Sequence, residues 1–201
     1  MIKRNEFSSF RDPSGFIYYD KNEVYRAVNH FYKNNYDLLF SSGLYDKLVS
    51  AKYLIPHTEA GDFNTELHYK IIKPLKIPFI SYPYEWGFNQ IKDAALLTID
   101  ICLLALETGM VLKDASYYNV QFLEGRPILI DTLSFEKYEN KGWVALRQFC
   151  ENFLGPLVLL SIGKDWVRGY LKSNINGIQV SVTWNNLPLL QKIKPLNFIR
   201  R

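Results

Sequence analysis

Apolar residues recur along this chain with two different periods, and the period sets which element each stretch is expected to form. Near the N-terminus the pattern is short and alternating. Asp12-Pro13-Ser14-Gly15 is turn chemistry, Phe16 to Tyr19 is a short aromatic and β-branched run, Asp20-Lys21-Asn22 turns again, and Glu23 to Val28 alternates like a strand. A small antiparallel sheet is expected here. From Asn29 to Leu54 the spacing becomes helical, through Phe31, Leu38, Leu39, Leu44, Leu48 and Val49, with a break at Ser41-Ser42-Gly43. His57 to Asn64 is polar and reads as a loop. Lys70-Ile71-Ile72 and Ile77-Pro78-Phe79-Ile80 are two candidate strands, followed by Tyr82-Pro83-Tyr84-Glu85-Trp86-Gly87, a stiff aromatic connector.

The strongest helical pattern runs from about Asn89 to Thr108, apolar on nearly all sides, with Gly109 just past its end. Such a helix is the expected buried spine of a lobe. Val120-Gln121-Phe122-Leu123 and Pro127-Ile128-Leu129-Ile130 flank Glu124-Gly125-Arg126, which reads as a β-hairpin with Gly in the turn. Helices are expected over about Trp143 to Leu160 and Asp165 to Lys172, and the tail from Asn185 has strand-and-loop character. The fold class is α+β: a small N-terminal sheet lobe over 1–81, a connector over 82–88, and a mainly helical part over 89–201.

Composition adds bounds. The chain has 201 residues, 48% of them hydrophobic and 22% charged, which belongs to a folded globular protein. Its 14 Tyr and 13 Phe are read as half-buried packing residues. A net charge of +4, with no Lys/Arg run, suits an anionic small ligand and gives no nucleic-acid face. Cys102 and Cys150 lie in apolar helical stretches and form no disulfide framework, so a cytoplasmic setting is expected. Met1-Ile2-Lys3-Arg4-Asn5-Glu6 lacks the apolar run of a signal peptide, and the run from Ala94 to Leu106, interrupted by Asp100, is too short to cross a bilayer. No membrane partner is expected.

Candidate chemistry concentrates around the hairpin. Asn119 and Asp131 each stand six residues from Gly125, so antiparallel pairing is expected to set them side by side, with Asp114 in a loop able to fold back over them. An Asn and an Asp supply hard oxygen ligands for a Mg²⁺ that bridges phosphates, and a separate Asp can accept or orient the proton of an attacking hydroxyl. Elsewhere the signals are weaker. His30, His57 and His68 are scattered, with no carboxylate at metal-ligand spacing. Asp93 and Asp100 share a helix face, and Asp100 is expected to anchor the loop near Asp114. Tyr117 and Tyr118 are read as packing, or as a substrate wall.

Leu112-Lys113-Asp114-Ala115-Ser116-Tyr117-Tyr118-Asn119 followed by Ile130-Asp131 resembles the protein-kinase-like superfamily, above all aminoglycoside-phosphotransferase-type small-molecule kinases. The resemblance implies Asp114 as the catalytic Asp, Lys113 beside it as a phosphate-neutralising group, and Asn119 and Asp131 as Mg²⁺ ligands. It also implies ATP as cofactor, with Arg26 as phosphate clamp, Ser14 and Gly15 as a reduced phosphate loop, and main chain near Tyr84 to Trp86, including Glu85, receiving the adenine. The pattern departs from the family's in lacking the His before the catalytic Asp, in carrying Arg where a Lys is usual, and in continuing Asp131 as Thr132-Leu133-Ser134. Two outcomes follow from it: a small-molecule phosphotransferase, or a degenerate, pseudokinase-like binding module.

A second resemblance covers nearly the whole chain. Phe10-Arg11-Asp12-Pro13-Ser14-Gly15-Phe16, Tyr82-Pro83-Tyr84-Glu85-Trp86, Leu112-Lys113-Asp114-Ala115-Ser116 and Ile130-Asp131-Thr132-Leu133-Ser134-Phe135 look like the N-terminal region of longer bacterial proteins. Those are labelled class I S-adenosylmethionine-dependent methyltransferases, some of them nodulation-related. No G-x-G-x-G loop occurs here, and Gly155-Pro156 and Ile162-Gly163 do not supply one. This resemblance therefore implies a methyl-donor site outside the chain, with the chain as a companion module to a downstream methyltransferase domain.

Overall fold

The computed structural model describes residues 4–5, 12–60, 66–189 and 192. Phe10 and Arg11 of the quoted motif, and Phe198 to Arg201 of the tail, lie outside the described residues. The first half builds a five-stranded antiparallel sheet. Its strands are β1 (Arg4–Asn5), β2 (Gly15–Asp20), β3 (Glu23–Val28), β4 (His57–Glu59) and β5 (Lys70–Pro74), in spatial order β1-β2-β3-β5-β4. Between β3 and β4 come two helices, α1 (Lys33–Ser41) and α2 (Leu44–Ser50), separated at Ser42-Gly43, where Gly43 takes a φ of 75°. The β2–β3 turn is Lys21-Asn22, both with positive φ, which matches the right-handed twist of the paired strands.

Gly15 opens β2 where only a glycine fits. A Cβ there would lie 2.0 Å from the Ala27 carbonyl oxygen and 2.9 Å from Leu133 Cδ1. Close packing of β2 on β3 and on the segment after Asp131 therefore depends on this position.

The long helix α3 (Phe88–Glu107) buries Ile91, Ala94, Ala95, Leu97, Thr98, Ile101, Cys102 and Ala105, a stripe at helical spacing. Its first turn is held by Gln90 Oε1, which accepts from Gly87 N at 2.9 Å, and Gly109 past its end has a φ of 74°. Around α3 lies the main core, with Trp86, Leu112, Tyr117, Leu129, Phe135 and Phe153 among its members. After α3, β6 (Met110–Leu112) pairs with β9 (Phe135–Lys137), and β7 (Val120–Leu123) with β8 (Arg126–Leu129), both antiparallel. The chain continues through α4 (Leu146–Phe149), a π-helical turn at Cys150–Leu154, α5 (Gly155–Ser161), α6 (Trp166–Ser173) and α7 (Val180–Asn186). Among the described residues no helix is long and apolar enough to cross a membrane.

Several expectations are corrected. His57–Glu59, read as a loop from its polarity, is an edge strand paired with β5. Residues 77–80 form no strand: Phe79 and Ile80 are exposed, and Pro78 has no N–H to give a ladder. Asp100 does not anchor the loop near Asp114; it is exposed and accepts from the Tyr53 hydroxyl at 3.5 Å. The stretch entering the tail is helical to Asn186. The hairpin register is one residue away from the expected one. Its turn is the two residues Glu124 and Gly125, both with positive φ, so Val120 faces Leu129 and Ile130 N bonds Asn119 O at 2.8 Å. Asn119 is thus paired with Ile130, and Asp131 lies one step beyond.

Candidate functional site

The site forms where the N-terminal sheet meets the segment after β8. A small core of Val28, Tyr32, Tyr36, Ile72 and Leu133 joins β3, α1 and β5 to that segment, and so fixes Asp131 against the sheet. Lys113 N bonds Ser134 O at 2.8 Å, which extends the β6–β9 pairing and brings the Lys113-Asp114 loop alongside.

Arg26 sits in the central strand β3, paired with Ile17 of β2 and Ile72 of β5. Its side chain is only 9% exposed, yet it carries a permanent charge. Two carboxylates balance it. Nη1 donates to Asp131 Oδ1 at 2.7 Å and Nη2 to Asp12 Oδ2 at 3.0 Å. Arg26 Nε is buried and has no hydrogen-bond partner. An unpartnered charged N–H of this kind is costly to bury, so the remaining polar edge of the guanidinium is a natural place for an acceptor.

Asp12 and Ser14 form the turn before β2. Asp12 Oδ1 accepts from Ser14 N at 2.9 Å, Asn29 N donates to Ser14 O at 2.9 Å, and Asn29 Nδ2 donates to Pro13 O at 3.0 Å. Ser14 is fully buried, and its hydroxyl accepts from Lys113 Nζ at 2.7 Å. The Lys113 ammonium also lies 4.8 Å from the centre of the Tyr32 ring. Tyr32 donates its hydroxyl to Phe135 O at 2.5 Å. Burial, with Asp131 adding to it, pushes that phenol far above its ordinary range and keeps it neutral.

Asp131 Oδ1 accepts from Leu133 N at 2.7 Å in addition to Arg26. Asn119 is close by through the hairpin end, and its amide donates to Ser134 Oγ at 3.4 Å. Asp114 Oδ1 takes two bonds, from Ser116 N at 3.0 Å and from Gln148 Nε2 at 2.7 Å. Gln148 returns its own carbonyl to Ala115 N at 2.8 Å, so the Asp114 loop is clamped from α4. Lys113, Ser14, Asp12, Arg26 and Asp131 therefore form one chain of direct contacts, Asn119 lies one bond from the same segment, and Asp114 stands on the loop beside Lys113. Among the described residues no group of three or more His, Cys, Asp or Glu could hold a metal.

The connector is organised differently. Glu85 N bonds Tyr82 O at 2.8 Å, Trp86 N bonds Pro83 O at 3.2 Å, and Glu85 Oε2 accepts from Tyr82 N at 2.8 Å. Trp86 is buried against Phe122, with Nε1 donating to Ser81 Oγ at 2.9 Å. Gln121 of β7 grips Ser81 through both its main-chain groups, each at 3.0 Å. The N–H groups of Glu85 and Trp86 are thus spent inside the turn.

Three participants escaped the sequence reading. Asp12 read as a turn residue and as the acidic member of a reduced phosphate loop, and its pairing with Arg26 escaped because that partner is fourteen positions away, on β3. His57 read as scattered, yet its Nε2 lies 3.3 Å from the Tyr36 hydroxyl and its Nδ1 3.5 Å from Thr132 Oγ1, next to Asp131. Burial lowers its pKa to about 4, with Glu59 acting in the opposite sense. Gln148 carries no local signal, since only the packing of α4 brings it to Asp114.

No model of a known protein family matches the chain. The chain is similar to Nodulation protein NoeA of Rhizobium meliloti (strain 1021), with 33% identity over 175 residues. That match covers 85% of this chain and 36% of NoeA, so the chain spans little more than a third of the length of this curated relative.

Proposed function

We propose that this chain is a ligand-recognition module of longer NoeA-type polypeptides, and that the Arg26 guanidinium takes the oxyanion of a phosphorylated small molecule. The carrying observation is Arg26 itself: a guanidinium 9% exposed, flanked by Asp12 and Asp131, with a buried Nε lacking a partner. Lys113, which reaches the same turn through the Ser14 hydroxyl while Asp12 links Ser14 to Arg26, supplies a second cation. A forked guanidinium with a point-charge ammonium beside it is the donor set that phosphate oxygens require. The similarity to NoeA over part of that protein's length supports a module within a larger chain. In such a chain a role in nodulation and a downstream methyl-transfer domain are the natural setting, with S-adenosylmethionine bound outside these residues.

Mg²⁺-ATP is the proposed ligand of first choice. Asn119 and the free oxygen of Asp131 are hard donors that fit a Mg²⁺ only as an ion carried on phosphates and still holding waters, since they supply no closed cage. The ion would neutralise phosphate charge there. Arg26 and Lys113 would bind phosphate oxygens, and Asp131 would orient the ion. The committed N–H groups of Glu85 and Trp86 support holding the ligand by its phosphates more than by its base.

A second reading, phosphotransfer to a small acceptor, is favoured by one feature. Both bonds to Asp114 fall on Oδ1, so its Oδ2 stays available to a hydroxyl proton. A thermal-shift titration with ATP, with and without Mg²⁺, and with S-adenosylmethionine alongside tests both readings together, and the fate of the ATP in the presence of hydroxyl-bearing acceptors separates them. A recognition module is stabilised by Mg²⁺-ATP and returns it unhydrolysed; at a hundred times Kd the gain is about 2.7 kcal/mol. No response to ATP would remove both readings, and stabilisation by S-adenosylmethionine would place the methyl donor here instead.

A further inference from the structure

Arg26 presents its N–H groups to two carboxylates that are held unequally. Asp131 is the more buried, 14% exposed, and its bonded oxygen is also pinned by Leu133 N. Asp12 is 31% exposed and lies on the turn before β2; the oxygen it gives to Arg26 is not the one that caps Ser14 N. Of the two, Asp12 can leave Arg26 with less disruption. A carboxylate and a phosphoryl group offer the guanidinium the same acceptor geometry.

We infer that Asp12 is an internal occupant of the oxyanion site and sets its ligand specificity: the ligand binds by displacing the Asp12 carboxylate from Arg26. This rests on the reading that Arg26 takes an oxyanion. Displacement frees Nη2 beside the unpartnered Nε, so the ligand gains a pair of adjacent donors on one edge of the guanidinium. The charge balance selects the class of ligand. With Asp12 in place Arg26 is already balanced by two carboxylates, which opposes a further negative charge on it. A ligand must bring more charge than the single carboxylate it replaces, which favours a phosphate or pyrophosphate dianion over a simple monocarboxylate.

Titration calorimetry with pyrophosphate, and with acetate for comparison, tests this on the whole chain. Asp12→Asn keeps an oxygen for Ser14 N and removes only the charge; Asp12→Ser is a second route that keeps a turn-capping oxygen. Both variants are expected to bind pyrophosphate about tenfold more tightly than the native chain, a gain of about 1.4 kcal/mol. Acetate should bind the variants measurably and the native chain far more weakly. Native binding of pyrophosphate that both variants leave unchanged or weaken would overturn the role of Asp12 while leaving the oxyanion reading intact. An absence of pyrophosphate binding in the native chain and both variants would overturn that reading, and the inference with it.

Discussion

Acidification from pH 7 to pH 5 should cost this fold stability through one side chain, His57. Its imidazole is partly buried between α1 and the segment after Asp131, with Tyr36, Tyr45 and Phe40 rings around it and Thr132 on its far side. Burial favours the neutral ring and holds the folded pKa near 4, against an ordinary value of 6.5; the Glu59 carboxylate opposes the shift without cancelling it. The sign follows from proton counting. Between these two values the unfolded chain binds the proton and the folded chain does not. The stabilisation is therefore complete above pH 6.5 and is lost progressively as the pH falls toward 4. At pH 5 the unfolded histidine is almost fully protonated and the folded one mostly neutral, which gives a cost of about 2 kcal/mol. Urea unfolding of the native chain and of His57→Gln at pH 7 and pH 5 measures it, because all other titrating groups are common to both proteins. The native chain should lose about 2 kcal/mol more than the variant over this interval. Equal losses would refute the reasoning and mean that the ring accepts a proton as easily in the fold as out of it.

Two further substitutions probe the same region. Gly15→Ala places a methyl group against the Ala27 carbonyl oxygen and Leu133, so β2 must shift; the melting temperature should fall by an amount equivalent to about 2 kcal/mol or more, and an unchanged value would mean the strand has room to move. Arg26→Leu leaves Asp131 buried without its cation and should cost about 3 kcal/mol in denaturant unfolding; adding Asp131→Asn should return part of that loss, and additive effects would show the pair to be uncoupled.

The sequence carried those elements whose signals are local. The α3 helix, the break at Gly43 and the Glu124-Gly125 hairpin each announce themselves by periodicity or by a residue with a special backbone conformation. What escaped depended on distant pairing. Strand β4 is short, polar and at the sheet edge, with Thr58 and Glu59 exposed, so nothing in its composition separates it from a loop. The β6–β9 pairing joins residues twenty-three or more positions apart, and no local pattern encodes it. The hairpin shows how a small error travels: taking Gly125 as the centre, where the turn is centred between Glu124 and Gly125, moves the partner of Asn119 from Ile130 to Asp131. The site was legible as residue types, since Arg26, Lys113, Asn119 and Asp131 all come to one seam. Its internal balance was not, because Asp12 reaches Arg26 only across the β2–β3 hairpin.

The most direct test of the central claim is calorimetric titration of pyrophosphate into the native chain and into Arg26→Lys. Lysine keeps a positive charge for Asp131 but has no fork with which to grip two phosphate oxygens. The account predicts saturable binding by the native chain, weakened at least about tenfold in the variant, or about 1.4 kcal/mol. Native-like affinity in Arg26→Lys, or no binding heat from the native chain at millimolar pyrophosphate, would contradict it.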